Sequence, residues 1–253
     1  MSSVQPIELP PLSSWKVLSL RTTAFYLPNE KVDPAGWWFE LMESSPDAEL
    51  RKPKEGVVRL EGSIENRKRS ITTSPGRVDF RLENDDVGGD PFCPLGAPED
   101  VCPGFIQISK SLLGLASFPA VNRLAFGSVM DLPVREREDG YRQLSAYLPF
   151  EIDASNSRDF LYRINRPRQS RTAEGLIVNR VSVWTVRMLR KTQLTVSAPG
   201  HIVFLKDNSA PTYACRVELD INTDAEYTGA LSAAILEELV DLAREIYAKG
   251  EVP

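Results

Sequence analysis

The sequence predicts an α+β protein with duplicated β-α-β(3–4)-α units, in which curved antiparallel sheets carry helices packed on one face. Many segments alternate apolar and polar residues with the period of two that is typical of half-buried strands. Amphipathic helical stretches separate these runs of strands instead of alternating with single strands, which favours antiparallel sheets. The order of elements starts again after its midpoint, and Leu27-Pro28 near the first strand has a counterpart in Leu132-Pro133.

An extended, proline-rich segment over 1–14 precedes the first predicted half, which begins at residue 15. A strand follows over 16–27 and is ended by Pro28. Asp33-Pro34 is typical of a helix start, with a capping carboxylate before a proline at the first helical position, so we expect a helix over 33–44. Its adjacent Trp37 and Trp38 indicate a core anchor, and the alternative is an aromatic platform for stacking bases.

The rest of this half, which we expect to close at residue 118, is a meander followed by a loop and a helix. The predicted strands are 57–64, 67–73 and 77–83, separated by turn residues. The acidic stretch 84–103, rich in glycine and proline, predicts a long loop that could contact a partner. A modest helix is expected over 105–117.

The second predicted half, 119–253, repeats this order. A strand over 121–132 and a helix over 138–147 are followed by strands near 150–154, 159–166, 176–191, 201–206 and 212–221. The chain closes on a helix over 228–249, which has one apolar stripe and Gly250 as its stop.

Composition limits the class of protein. The chain has 253 residues, 42% hydrophobic and 26% charged, as in soluble globular proteins. It shows no apolar run long enough for a bilayer and no signal-like N-terminus, so we expect a cytoplasmic protein without membrane contact. Its net charge of −5 argues against non-specific coating of nucleic acid. Three cysteines suit a reducing compartment, with Cys93 and Cys102 as ordinary thiols rather than a disulfide or redox pair.

The most basic stretch lies over 158–191 and has eight arginines and one lysine against two acidic residues. Arginine forks suit carboxylate or phosphate groups, so this stretch predicts a sheet face that binds an anion or a partner. The alternative is a solvated face whose arginines pair with the acidic C-terminal helix and protect a sheet edge from aggregation. With a second basic cluster in the first half, the candidate binding residues are Arg67, Arg69, Arg163, Arg166, Arg168, Arg180 and Arg187.

The residue pattern predicts no catalytic residue, no metal site and no cofactor. His201 is the single histidine, and the sequence contains no nucleophile elbow, phosphate-binding loop or zinc motif. Glu218 and Asp220 lie two apart on one strand and therefore share a face. We expect them to pair with Arg163, Arg180 or Arg187, and the alternative is that they hold a divalent cation.

Two resemblances follow from these segments. FLYRINRPRQS, GLIVNRVSVW and CRVELDINT, followed by a long terminal helix, resemble a sporadically distributed bacterial family of uncharacterised proteins, which implies a bacterial origin. The duplicated order of elements resembles the saddle of the TATA-box-binding protein and related helix-grip folds. That family meets the minor groove with Phe wedges and Asn residues, whereas this chain carries pairs such as Asn165-Arg166 and Asn179-Arg180, so no residue role is carried over.

The sequence therefore predicts a non-enzymatic binding or adaptor protein that acts through protein contacts, either with a partner or by self-association. One alternative is a nucleic-acid-binding protein that uses the arginine-rich face for phosphate contacts. Another is a hydrolase in which Glu218 and Asp220 hold a metal.

Overall fold

The computed structural model describes residues 9–85, 93–189, 192–197, 201–206 and 211–251. The predicted extended segment 1–14 and the acidic loop therefore lie partly outside the described residues. The helices are α1 (Pro34–Met42), α2 (Pro98–Leu113), α3 (Arg137–Ser145) and α4 (Ala233–Lys249). The strands are β1 (Lys16–Phe25), β2 (Ala48–Lys52), β3 (Val57–Ile64), β4 (Arg67–Ser74), β5 (Arg77–Asn84), β6 (Arg123–Val134), β7 (Leu161–Asn165), β8 (Arg168–Gln169), β9 (Ile177–Leu189), β10 (Thr192–Ser197), β11 (His201–Lys206) and β12 (Thr212–Thr223).

Ten of these strands form one antiparallel sheet, which confirms the predicted α+β class. The strand order is β2-β3-β4-β5-β1-β6-β12-β9-β7, with β8 paired to β9, while β10 and β11 form a separate hairpin. Both predicted halves share this sheet, and β1 and β6 are neighbours at its centre. On its outer side each central strand pairs with the last strand of its own half, β5 or β12. A duplication predicts this order, but the duplication itself stays a prediction.

All four helices lie on one face of the sheet. In α1, Trp38 packs over Gly62, where a Cβ atom would come within 2.7 Å of the indole ring. In α2, Ser109 accepts a hydrogen bond of 2.9 Å from Thr22 of β1. In α4, Tyr247 is hydrogen-bonded to Ser128 of β6. Among the described helices none is long and apolar enough to cross a membrane.

The core between this helix layer and the sheet is rich in aromatic rings. Trp15, Trp37, Trp38 and Trp184 are all buried, and Trp15 donates a hydrogen bond of 3.0 Å to the hydroxyl of Tyr147. The interpretation of Trp37 and Trp38 as a core anchor is therefore confirmed. Because both indoles are inaccessible, the alternative of a base-stacking platform is wrong.

Several elements differ from the prediction. The predicted strand 150–154 is irregular, and α4 begins at Ala233 instead of Thr228. β6 continues through Pro133 to Val134. Its pairing with β1 ends at Asp131, so only β12 flanks it there and a proline is tolerated as at a sheet edge.

Helix α2 begins earlier than predicted. The predicted loop 84–103 includes its first turns, because Pro98 is at the first helical position and Pro103 removes one hydrogen bond early in the helix. Its Cys102 is buried, and burial raises the pKa of this thiol to about 11. Cys93 and Cys102 are free thiols, as predicted.

Candidate binding site on the open face of the sheet

The predicted binding arginines do not share one surface. Arg168 donates to both carboxylate oxygens of Glu245 in α4, at 2.8 and 3.0 Å. Nε of Arg166 lies 3.2 Å from Glu251, directly after that helix. Arg166 and Arg168 therefore pair with the acidic C-terminal segment, as the alternative interpretation predicts.

Arg180 also lies on the helix side of the sheet. Arg180 is 4% exposed, and its Nε has no hydrogen-bond partner among the residues that the structure describes. Burial lowers the pKa of this guanidinium, and the neighbouring charge of Arg168 acts in the same direction. Arg180 is therefore inaccessible to a partner at the surface.

The arginines of the first cluster are remote from this region. Nη1 of Arg69 lies 3.4 Å from the sulfur of Met42 beneath α1, and burial lowers the pKa of Arg69. Arg67 is two positions away and therefore on the same side of β4. Six strand spacings separate β4 from β7 in the sheet order, about 29 Å.

The basic stretch 158–191 is thus held to α4 by several buried or partly buried contacts. Glu238 of α4 is 4% exposed and accepts hydrogen bonds from Ser170 Oγ at 2.6 Å and from the amides of Arg171 and Thr172. Burial on its own raises the pKa of Glu238, but these hydrogen bonds hold it below the usual value. Arg168 likewise lowers the pKa of Glu245.

These shifts predict a loss of stability in acid. A carboxyl group whose pKa is lowered by folding stabilises the native state above its unfolded-state pKa of about 4.3, and the gain is lost as the pH falls through the folded-state pKa. We therefore expect the free energy of unfolding, measured by urea titration, to decline below about pH 4.5. Glu238→Gln should flatten the decline, and the exposed Glu237→Gln in the same helix should not. An equal slope in both variants would contradict this account.

The face opposite the helices, which we call the open face, carries no helix in the parts of the chain that the structure describes. Successive side chains of a strand point to opposite faces of the sheet, so every second residue of each strand lies on the open face. At its centre lies a depression of about 290 Å³, which we call the central depression. Its charged lining residues are Arg21, Arg81, Arg163, Glu83, Glu218 and Asp220, and its small or apolar ones include Ser19, Gly127, Val181 and Val183.

Arg21 has an unusual position in the middle of the sheet. Its Cα is paired with Arg81 of β5 on one side and with Gly127 of β6 on the other. A Cβ atom at position 127 would be 3.3 Å from both Nε and Nη2 of Arg21, so the glycine makes room for the guanidinium. Within the described residues Arg21 forms no ion pair, and its shielded Nε has no acceptor.

Arg163 of β7 lines the side of the central depression that is opposite Arg21. It is paired with Val183 of β9, and no carboxylate of the described ranges lies within ion-pair distance of it. Leu161, two positions earlier on the same face of β7, is 65% exposed. Arg187 is exposed on β9 of the open face too, but four positions beyond Val183 and outside the depression.

The carboxylates of the depression contact arginine side chains only at long distances. Glu218 and Asp220 share the open face, which confirms that part of the prediction. However, Glu218 approaches Arg216, at 3.9 Å, and Asp220 accepts a hydrogen bond of 3.2 Å from Asn222. The expected pairing with Arg163, Arg180 or Arg187 is therefore wrong for the contacts that the structure describes.

Beside the depression, Asp131 of β6 and Arg216 of β12 form a bidentate ion pair. Nε and Nη2 of Arg216 lie 2.7 and 2.9 Å from the two carboxylate oxygens of Asp131. Both side chains are nearly buried, with 9% and 11% of their surface exposed. The pair therefore fixes the register of the two strands that carry Gly127, Glu218 and Asp220.

No group of three or more His, Cys, Asp or Glu residues is arranged to hold a metal ion in the part of the chain that was searched. The carboxylates that line the central depression are Glu83, Glu218 and Asp220. His201 begins β11, and its side chain lies outside the described residues.

The sequence contained a signal for the central depression that our prediction did not use. Ser19 and Arg21 alternate with Leu18 and Leu20 along β1, which predicts that Arg21 lies on the polar face of that strand. Gly127 interrupts an apolar strand, which often marks the close approach of another group. The pairing of these two strands could not be read from the sequence.

Comparison of this chain with protein-family models gives no match, and comparison with curated proteins gives none either.

Proposed function

We propose that this is a non-enzymatic binding protein that holds a protein partner on the open face of its sheet. The observation that carries the proposal is the central depression, where Arg21 and Arg163 have no ionic partner among the described residues. A surface that covers these two arginines would desolvate them, which is costly unless that surface supplies a counter-charge. Leu161, two positions from Arg163 on β7, provides an exposed apolar anchor.

A protein partner fits this face better than nucleic acid does. Much of the positive charge on the first-half strands is already neutralised by neighbouring carboxylates, as in the pairing of Glu61 with Arg59 and Lys68 and of Arg77 with Asp79. A phosphate backbone needs a continuous basic track. Three carboxylates in the central depression oppose such a track.

We place this partner in the cytoplasm, since the three cysteines are free and two of them are buried. A second copy of the same chain is one form that the partner could take. The bacterial origin implied by the resemblance also remains part of the proposal.

Photo-crosslinking in the native host tests the proposal. Leu161 and Phe39 have similar exposure, 65% and 63%, but Leu161 is on the open face and Phe39 is on α1. Benzoylphenylalanine at position 161 should give a discrete protein adduct that survives nuclease and raised salt. The same group at position 39 is the matched control and should give none.

Two outcomes would overturn the proposal. The first is an adduct from position 39 and none from position 161, which would place the partner on the helix side. The second is an adduct that nuclease removes, accompanied by nucleic acid whose binding weakens steeply with salt. That result would favour the nucleic-acid alternative.

A further inference from the structure

The most unusual feature of the open face is a like-charged pair at its centre. Arg21 and Arg81 are direct cross-strand partners in β1 and β5. Like charges directly opposite each other destabilise an antiparallel pair. Arg81 has Glu83 at 3.7 Å as a weak partner, whereas the described residues offer Arg21 none.

The geometry of Arg21 fits a specific kind of ligand group. Nε and Nη2 of Arg21 pack against Gly127, where a Cβ atom would come within 3.3 Å of both. These two donors form one edge of the guanidinium fork, which binds the two oxygens of a carboxylate in parallel. Among the described residues Nε has no acceptor, so a ligand oxygen that reaches it satisfies this donor.

The size and charge of the depression further restrict the class of ligand that it can bind. About 290 Å³ is at the lower limit for small-molecule sites and suits one side chain or chain end better than a whole cofactor. Three arginines and three carboxylates line it, so it carries no large net charge. A group with a single negative charge therefore meets less repulsion from Glu83, Glu218 and Asp220 than a polyphosphate does.

We propose that the central depression binds a carboxylate of the partner polypeptide, held by the guanidinium groups of Arg21 and Arg163. This inference rests on the proposed function, because it specifies what the partner presents to the open face. The carboxylate belongs either to an acidic side chain or to the chain terminus. Arg81 contributes positive charge, and Gly127 leaves room for the guanidinium of Arg21 over β6.

Titration with small probes, followed by NMR of the arginine Nε–Hε signals, tests the site directly. N-acetylglutamate with its α-carboxyl blocked as a methylamide presents a side-chain carboxylate, and N-acetylglycine presents a terminal one. The corresponding glutamine derivative is the neutral control. We expect saturable shifts of the Arg21 and Arg163 signals with at least one acid, and none with the neutral control.

Three variants make the test specific. Arg21→Gln should weaken binding about tenfold, the loss of roughly one charged hydrogen bond. Gly127→Ala should also weaken it, because the new Cβ displaces the far end of a flexible side chain without a clash against the backbone. Arg135→Gln removes an exposed arginine outside the depression and should leave the affinity unchanged. Unchanged amide spectra would show that each variant is folded.

The acid that produces the larger shift of the Arg21 and Arg163 signals identifies the source of the carboxylate, a side chain or a chain terminus. Absence of saturable shifts, or equal weakening by Arg21→Gln and Arg135→Gln, overturns the inference. Saturable shifts with inorganic phosphate but with neither acid overturn it in favour of a phosphate ligand. If crosslinking at position 161 captures a protein while the acids do not bind, this inference fails and the proposed function stands. If the acids bind but no protein is captured, the site stands and the proposed function fails.

Discussion

Replacement of Gly250 by alanine is expected to lower the free energy of unfolding by about 2–4 kcal/mol. Gly250 ends α4 with φ 69° and ψ −152°, a conformation that is essentially restricted to glycine. A Cβ atom there would lie 2.2 Å from the backbone oxygen of Tyr147. Since the clash is with backbone, relief requires the chain after α4 to move, which would withdraw Glu251 from Ser182 and Arg166.

Gly104→Ala is the matched control, because the substitution is chemically identical. Gly104 is exposed within α2, and nothing lies within 4 Å of its ideal Cβ position. Alanine is the better helix former, so this variant should gain about 0.5–1 kcal/mol. Urea unfolding of both variants measures the contrast. A loss below about 1 kcal/mol for Gly250→Ala would mean that the end of α4 rearranges freely.

Removal of the carboxylate of Asp131 is expected to cost about 3 kcal/mol. Asp131→Ala leaves Arg216 nearly buried without its bidentate partner. Most of this loss comes from leaving the buried charge of Arg216 uncompensated, and less comes from the ion pair's own contribution to stability. The double variant with Arg216→Met should therefore recover part of the lost stability. Equilibrium unfolding of the single and double variants gives both values.

The exposed pair Arg244–Asp241 of α4 is the control for this prediction. Its side chains are 48% and 55% exposed, and exposed pairs contribute at most about 1 kcal/mol. Asp241→Ala should therefore change stability by no more than about 0.5 kcal/mol. Similar losses for Asp131→Ala and Asp241→Ala would show that burial does not govern the effect.

Local signals in the sequence predicted the meander of the first half well. The strands expected over 57–64, 67–73 and 77–83 match β3, β4 and β5 to within a residue or two, because alternation and turn residues act over short distances. The start of α2 was missed for the opposite reason. Its prolines resemble loop composition, although Pro98 occupies a position where a helix accepts proline.

The candidate site was only partly predictable. Net charge identified the stretch 158–191, but charge does not tell which side of a strand faces the helices. Arg166, Arg168 and Arg180 turned out to be bound or buried near α4. Arg163, on the opposite face, lines the central depression with Arg21, which lies far away in sequence. Long-range strand pairing unites them, and a single sequence does not reveal it.

The strand order also determines when the sheet can close. The meander of β3, β4 and β5 is complete once residue 84 has been synthesised, and β1 then has its first neighbour. The second neighbour of β1 belongs to the other half, and β6 must in turn await β12, where Leu132 pairs with Cys215. Such non-local pairings slow folding, because the chain between them is ordered before the contact is gained. A nascent chain that ends before β6 therefore carries β1 as an open edge at what later becomes the middle of the sheet.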